Sequence, residues 1–270
     1  MPHETLIVER GGPVLKVTLN RPDVRNALSP TMVGELLSVF AQARGDAEVR
    51  AVFLKGAGGN FCAGGDLKGM EERSADGRGS HEAIADSNRR FGLLLERMRE
   101  LPKALIVLVE GAAMGGGVGL IAVGDWVVAE RGVQIGTPEA TVGLVPAQIA
   151  PFVLQRIGPG EAARLLAFGR RVDAVEAARI GLVHEVAASR ADAMEKAAGA
   201  VNQCLRCGPE AMAETKALLR LAQPGSEAQS TVLDQAALMF AASLAGEAKE
   251  GIRAFREKRK PAWVQRIDRL

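Results

Sequence analysis

The sequence predicts an α/β protein in which strand, glycine turn and helix follow one another as a repeated unit, with a helical region after them. Three observations carry this reading. Apolar runs of strand length alternate with stretches of helical periodicity through the first half of the chain. Two of those runs lead into glycine-rich turns, Phe61-Cys62-Ala63-Gly64-Gly65-Asp66-Leu67 and Met114-Gly115-Gly116-Gly117-Val118-Gly119. From Arg190 onward the pattern is almost entirely helical and dominated by alanine and leucine. The chain divides accordingly into a core, residues 1–190, and a C-terminal helical region, residues 191–270.

Taken in order, Thr5–Val8 and Val14–Leu19 read as a hairpin around Gly11-Gly12. Ser29-Pro30 supplies an N-cap and a first-turn proline for a helix whose apolar residues are Met32, Leu36, Leu37, Val39 and Phe40. Arg50–Leu54 is a buried strand running into Gly56-Ala57-Gly58-Gly59. The charged, small residues of Glu71–Ser80 predict a mobile surface loop beside any substrate pocket. Helical periodicity resumes over Glu82–Glu100 and stops before Pro102, and Ala104–Val109 is a strand that delivers the chain to Gly111 and the second turn. Short helices follow at Glu161–Phe168 and Val175–Arg179, punctuated by Gly158-Pro159-Gly160 and Gly181. Four more are expected at Ala191–Leu205, Pro209–Leu221, Glu227–Leu244 and Glu247–Arg256.

Composition narrows the function classes. At 270 residues and 47% hydrophobic the chain can bury a large core, and a net charge of +2 carries no polyanion signature. Three cysteines cannot pair completely, which suggests a reducing compartment. Met1–Glu9 does not resemble a leader and no apolar run approaches bilayer length, so a cytoplasmic protein without membrane contact is expected. Cys204-Leu205-Arg206-Cys207 lacks a second pair or a histidine pair to complete a metal site, and Cys62 reads as a packing residue. His3, His81 and His184 read as structural or solvent-facing.

The glycine turns carry the chemistry. Without Cβ atoms, backbone N–H groups can approach one carbonyl oxygen closely. A helix starting near Gly115 has unpaired first N–H groups and a positive dipole end. Gly116 and Gly65 are therefore candidate oxyanion donors, with Asp66 as a cap or first-turn acid of a helix after the first turn. Glu139, in Thr137-Pro138-Glu139, is the carboxylate that can move a proton on the carbon beside that carbonyl. The reading is enolate chemistry.

Together with Gly143-Leu144-Val145-Pro146 and the tail Gly251–Lys260, these motifs resemble the crotonase (enoyl-CoA hydratase/isomerase) superfamily in order and over nearly the whole chain. The resemblance implies a spiral of strand-strand-helix units, acyl-CoA thioester substrates without a separate cofactor, and trimers or paired trimers assembled through C-terminal helices. Matched residue by residue, the oxyanion donors fall on Gly65 and Gly116. The CoA moiety falls along Arg25, Ala27, Ala63, Asp66 and Leu67, with Lys258 as a phosphate contact. Gly143–Arg156 is also similar to hydratases of branched glutaconyl-CoA-type substrates.

One position departs from the pattern. Hydratases of the best-known type carry a glutamate three residues after the second oxyanion glycine, where this chain has Gly119. Only Glu139 remains, with Gln148 as a possible polar substitute for the missing acid. A one-acid hydratase and a Δ3–Δ2 enoyl-CoA isomerase both satisfy this sequence, and a thioester hydrolase or decarboxylase would use the same oxyanion hole. A rival of another class is nucleic-acid binding by the basic tail, Arg253 to Arg269. Acids interrupt that charge, and two Trp with no Tyr offer few stacking platforms.

Overall fold

The computed structural model describes residues 3–66, 81–222 and 229–270. Leu67 and the expected loop at Glu71–Ser80 lie outside the described residues, as does any helix following Asp66. β1 (Leu6–Gly11) and β2 (Val14–Leu19) form the expected antiparallel hairpin. α1 (Pro30–Gly45) is capped by Ser29, whose side chain accepts from the Met32 N–H at 3.1 Å. β3 (Ala51–Gly56) pairs parallel to β2, α2 (His81–Arg99) packs on α1, and β4 (Ala104–Val109) pairs parallel to β3.

Beyond β4 the chain builds two sheets at once. β5 (Ala112–Met114) leads into α3 (Gly116–Ala122), then come β6 (Trp126–Glu130) and β7 (Gln134–Gly136). A 3₁₀ turn, Pro138–Val142, precedes α4 (Ala150–Leu166), which is broken at Gly158, where φ is 75° and ψ 169°. β8 (Arg171–Asp173), α5 (Ala174–Arg179) and β9 (Glu185–Ala187) follow. The larger sheet runs β1-β2-β3-β4-β6-β9, and the smaller β5-β7-β8. Isolated parallel bridges Leu28↔Gly65 and Cys62↔Ala113 extend the second layer toward the N-terminal end of the chain. Each turn of the chain thus lays one strand in the large sheet and one short segment beside it, the spiral arrangement that the resemblance implies.

Strand register explains the uninterrupted apolar runs. In β3, Val52 and Leu54 enter the core shared with α1 and α2, while Ala51 and Phe53 enter a second core on the opposite face. β4 alternates in the same way, Leu105 and Val107 against Ile106 and Leu108. A parallel sheet buried on both faces needs apolar residues at every position. The second face is covered by α6 (Arg190–Arg206), which presents Ala193, Ala197, Ala200, Val201 and Leu205 to it.

α7 (Pro209–Leu221), α8 (Gln229–Ala245) and α9 (Ala248–Arg256) match the expected helices closely. α8 and α9 leave large apolar side chains in solvent, with Leu238 72% and Phe255 84% exposed. Residues beyond α9 return to the core: Arg50, buried, donates to the Cys207 carbonyl at 2.7 Å and the Trp263 carbonyl at 3.1 Å. Ile267 and Leu270 pack on the second core. No described helix is long and apolar enough to cross a membrane.

Candidate active site

The first glycine turn is held by a loop that the chain forms after β2. Arg25 and Asn26 both adopt left-handed backbone, φ 50° and 58°. Asparagine tolerates that region because its short side chain can bond locally. The buried Asn26 amide accepts from the Arg21 N–H and donates to the carbonyls of Ala57 and Asn60. Ala63 then donates to the Arg25 carbonyl at 2.9 Å, Leu28 to Gly64 at 2.8 Å and Asp66 to Leu28 at 3.2 Å. In this parallel bridge the residues flanking Gly65 make the bonds, so the N–H of Gly65 itself faces away from Leu28. Arg21 fastens the same loop, bonding the Ala27 carbonyl at 2.7 Å and pairing with Asp66 at 3.1 Å.

The second turn lies alongside. Cys62 and Ala113 bridge the two segments, and Gly64, at φ 97°, runs so close that a Cβ there would be 3.0 Å from the Met114 carbonyl oxygen. Gly115 has φ 49° and ψ −114°, and its N–H is taken by the Gly136 carbonyl at 2.8 Å. α3 starts at Gly116, whose N–H belongs to the first turn and has no acceptor within the helix. A Cβ at Gly116 would meet Leu28 Cδ1 at 2.7 Å and Phe91 Cζ at 3.3 Å.

Glu139 completes the arrangement. Buried Thr137 donates its hydroxyl to the Leu165 carbonyl, and Leu144 donates to the Glu139 carbonyl, fixing the 3₁₀ turn at both ends. A Cβ at Gly115 would lie 2.5 Å from Glu139 Oε1, so the carboxylate rests on bare backbone beside the start of α3. Its Oε2 is buried with no hydrogen-bond partner among the described residues, and burial raises the carboxyl above its ordinary pKa. A carboxyl of this kind gives and takes protons more readily near neutrality than a solvated one.

The site of the missing acid is filled. A Cβ at Gly119 would be 2.5 Å from Ile149 Cγ2 and 3.1 Å from Leu95 Cδ1, both buried side chains. Gln148 places its amide against Gly92 of α2.

The structure therefore brings Ala63, Gly65, Gly116 and Glu139 together with the Arg25–Leu28 segment. Asp66 sits at the edge of this group in its ion pair. Lys258 lies past the end of α9 at φ 54°, and no described hydrogen bond or ion pair joins its side chain to these residues. Part of the basic tail is neutralised internally, Arg253 and Arg259 pairing with Glu250 and Arg259 also with Glu257. His184 is structural: its Nδ1 accepts from the Val127 N–H at 2.8 Å, and burial with the nearby Arg156 charge lowers its pKa to about 4. Burial likewise pushes the Cys62 thiol up to about 12, removing it as a nucleophile. Sequence reasoning missed Arg21, Asn26, Phe91 and Ile149. The turn-forming run Asn20-Arg21-Pro22-Asp23 that closes the hairpin is the sequence signal nearest to the first two.

The family model for enoyl-CoA hydratase/isomerase matches residues 9–266. The chain belongs to that family. Among solved structures, an enoyl-CoA hydratase/isomerase from Marinobacter aquaeolei is 46% identical, with a TM-score of 0.92 over 97% of this chain and 100% of that one. Pseudomonas aeruginosa AtuE is 47% identical, with a TM-score of 0.93 over the same shares. Enoyl-CoA hydratase EchA19 of Mycobacterium tuberculosis is 34% identical over 261 residues, 96% of each chain. The protein is an enzyme of the hydratase/isomerase family, with the crotonase fold and an acyl-CoA thioester as its class of substrate.

Proposed function

We propose that this enzyme adds water across the 2,3 double bond of an enoyl-CoA thioester using one carboxylate. The observation that carries the reading is the buried Oε2 of Glu139, without a hydrogen-bond partner among the described residues, beside the bare Gly115–Gly116 backbone. The thioester oxygen accepts from the Gly65 and Gly116 N–H groups. Glu139 takes a proton from water as the water oxygen bonds to C3. The C2–C3 electron pair moves toward the thioester oxygen, giving an enolate that the two N–H groups stabilise. Protonated Glu139 then returns its proton to C2, restoring the carboxylate. Loss of one preorganised oxyanion donor costs on the order of 10²–10³ in rate in other enzymes.

Arg25, Ala27, Ala63, Asp66 and Leu67 would line the CoA path, with Lys258 reaching a phosphate in an assembled enzyme. The exposed apolar residues of α8 and α9 favour a trimer or a dimer of trimers, which light scattering would test: a monomer would contradict it. The chemistry as written asks for no cofactor, so turnover should survive dialysis against chelator. Branched glutaconyl-CoA thioesters are the favoured substrates, on the similarity of Gly143–Arg156.

The runner-up is Δ3–Δ2 enoyl-CoA isomerisation, which the filled space at Gly119 favours, since proton transfer between carbons needs one acid. Incubation with crotonyl-CoA, a 3-enoyl-CoA and 3-methylglutaconyl-CoA in deuterated water, read by mass spectrometry, separates the two. Added water supports hydration; bond migration without added water assigns isomerisation. Free thiol or CO₂ release, or no reaction with any thioester, would overturn both.

A further inference from the structure

A second cleft lies at the far end of α3 from the glycine turn, about 10 Å along the helix by its rise per residue. It encloses about 310 Å³ between the ends of α2 and α3, the first half of α4 and the last turns of α7. That is the lower end of the range for small-molecule sites. Four basic side chains line it, Arg99, Arg156, Lys216 and Arg220, against one carboxylate, Asp125.

The cations are not equivalent. Arg156 is committed to the Gly124 and Gly181 carbonyls, and Lys216 to Asp125 and the Lys103 carbonyl. These contacts satisfy carbonyl groups exposed by helix ends and turns, an ordinary structural use of basic residues. Arg99 and Arg220 are different. Arg99 lies over the Phe152 ring, 5.1 Å from its centre, and bonds the neutral Gln155 amide, while its Nε is buried without a partner among the described residues. The neighbouring acids are engaged elsewhere, Glu96 by Arg89 and Glu100 by Arg44 and Arg97. Arg220 has no ion pair or side-chain hydrogen bond among the described residues. Burial and then the Arg220 charge make the charged form of Arg99 less favourable. Two like charges facing one cleft, one of them with an unused donor, are stabilised by an anion that accepts from both.

We propose that this cleft is a second ligand site, taking a small oxyanion, phosphate or carboxylate, between the guanidinium groups of Arg99 and Arg220. It stands apart from Glu139 and the glycine turns and does not depend on which acyl-CoA reaction the enzyme performs.

The test is isothermal titration calorimetry of the whole protein with inorganic phosphate and with citrate, at ionic strength matched with sodium chloride. The two ligands distinguish the source of the oxyanion, the tighter one identifying it. Binding should be saturable and about ten- to a hundredfold weaker in Arg220→Gln and in Arg99→Gln. Arg131→Gln, at an exposed turn, should bind as wild type does. Circular dichroism establishes that each variant is folded. Phosphate binding should persist in enzyme saturated with acetyl-CoA. Equal binding by wild type and Arg220→Gln, no binding beyond the chloride control, or displacement by acetyl-CoA would overturn the proposal. So would a changed oligomeric mass in the variants without anion binding, since the guanidinium pair would then belong to a subunit contact.

Discussion

Gly119→Ala tests directly why a single acid stands in this site. The new methyl group would lie 2.5 Å from Ile149 Cγ2, where carbon atoms prefer about 3.5–4.0 Å, and 3.1 Å from Leu95 Cδ1. Overpacking of this kind costs about 1–3 kcal/mol. Replacing glycine by alanine inside a helix returns roughly 1 kcal/mol. The net loss is therefore about 1 kcal/mol, or ~2–4 °C in Tm for a chain of this size. Ile149→Ala alone leaves a hole and costs about 2–5 kcal/mol. In the double variant the methyl group of residue 119 enters the vacated space, so the combined loss should fall short of the sum by about 1–2 kcal/mol. Urea melts of all four proteins at equal protomer concentration measure this. A Gly119→Ala protein more stable than wild type, or strictly additive losses, would show that room exists beside α3 and refute the reasoning. On the same geometry, Gly119→Glu loses more stability still and does not yield a two-acid enzyme.

Four further outcomes are expected. Glu139→Gln should lose about 10²–10⁴ in turnover while holding acetyl-CoA as wild type does, and turnover near wild type would sink the proton-carrier role. Because burial raises the folded-state pKa of Glu139 above its unfolded value, the native protein binds that proton more tightly, and its stability declines as pH rises between the two values. Glu139→Gln should consequently melt higher than wild type at neutral pH and lose that advantage on the acid side of the window; equal advantage at all pH values would contradict this. Gly115→Ala, whose methyl group would meet Glu139 Oε1 at 2.5 Å with φ at 49°, should keep its far-ultraviolet spectrum and lose turnover, and unaltered turnover would show that the carboxylate does not need that contact. His184, with its pKa depressed from 6.5 to about 4, contributes stability that is present above pH 6.5 and lost as pH falls toward 4. His184→Gln should flatten that part of the pH–stability curve, and an unchanged slope would place the effect elsewhere.

Local patterns were legible in this sequence wherever they were long enough to show a period. The second hairpin strand, the start of α1, α2, β4 and the four C-terminal helices appear within one or two residues of where spacing and caps put them, while β1 runs three residues past Val8 to Gly11. The three-residue strands β5, β7 and β8 do not, because three residues cannot display an alternation, and their pairing is decided by chain segments far away in sequence. β6 and the Ala150–Ile157 half of α4 were also missed, the latter separated from the expected Glu161–Phe168 helix by Gly158-Pro159-Gly160, where the backbone does break. In the site, glycine turns and a Pro-Glu pair advertise themselves through composition. Arg21, Asn26 and Ile149 act through contacts across 45, 34 and 30 residues respectively, and no local spacing encodes those.

The burial of Arg50 has a consequence for how the chain is made. Its two acceptors, the Cys207 and Trp263 carbonyls, lie 157 and 213 residues downstream. At about 5–20 residues per second of synthesis, the guanidinium waits roughly 10–40 s for its second acceptor. Throughout that interval the residue ahead of β3 must stay hydrated, and the part of the second core that Ile267 and Leu270 cover stays open even after α6 is made. Completion of this enzyme's second core is therefore a late event in synthesis, and a pause in translation ahead of α6 would prolong the exposure of Phe53 and Ile106 rather than of the core around α1.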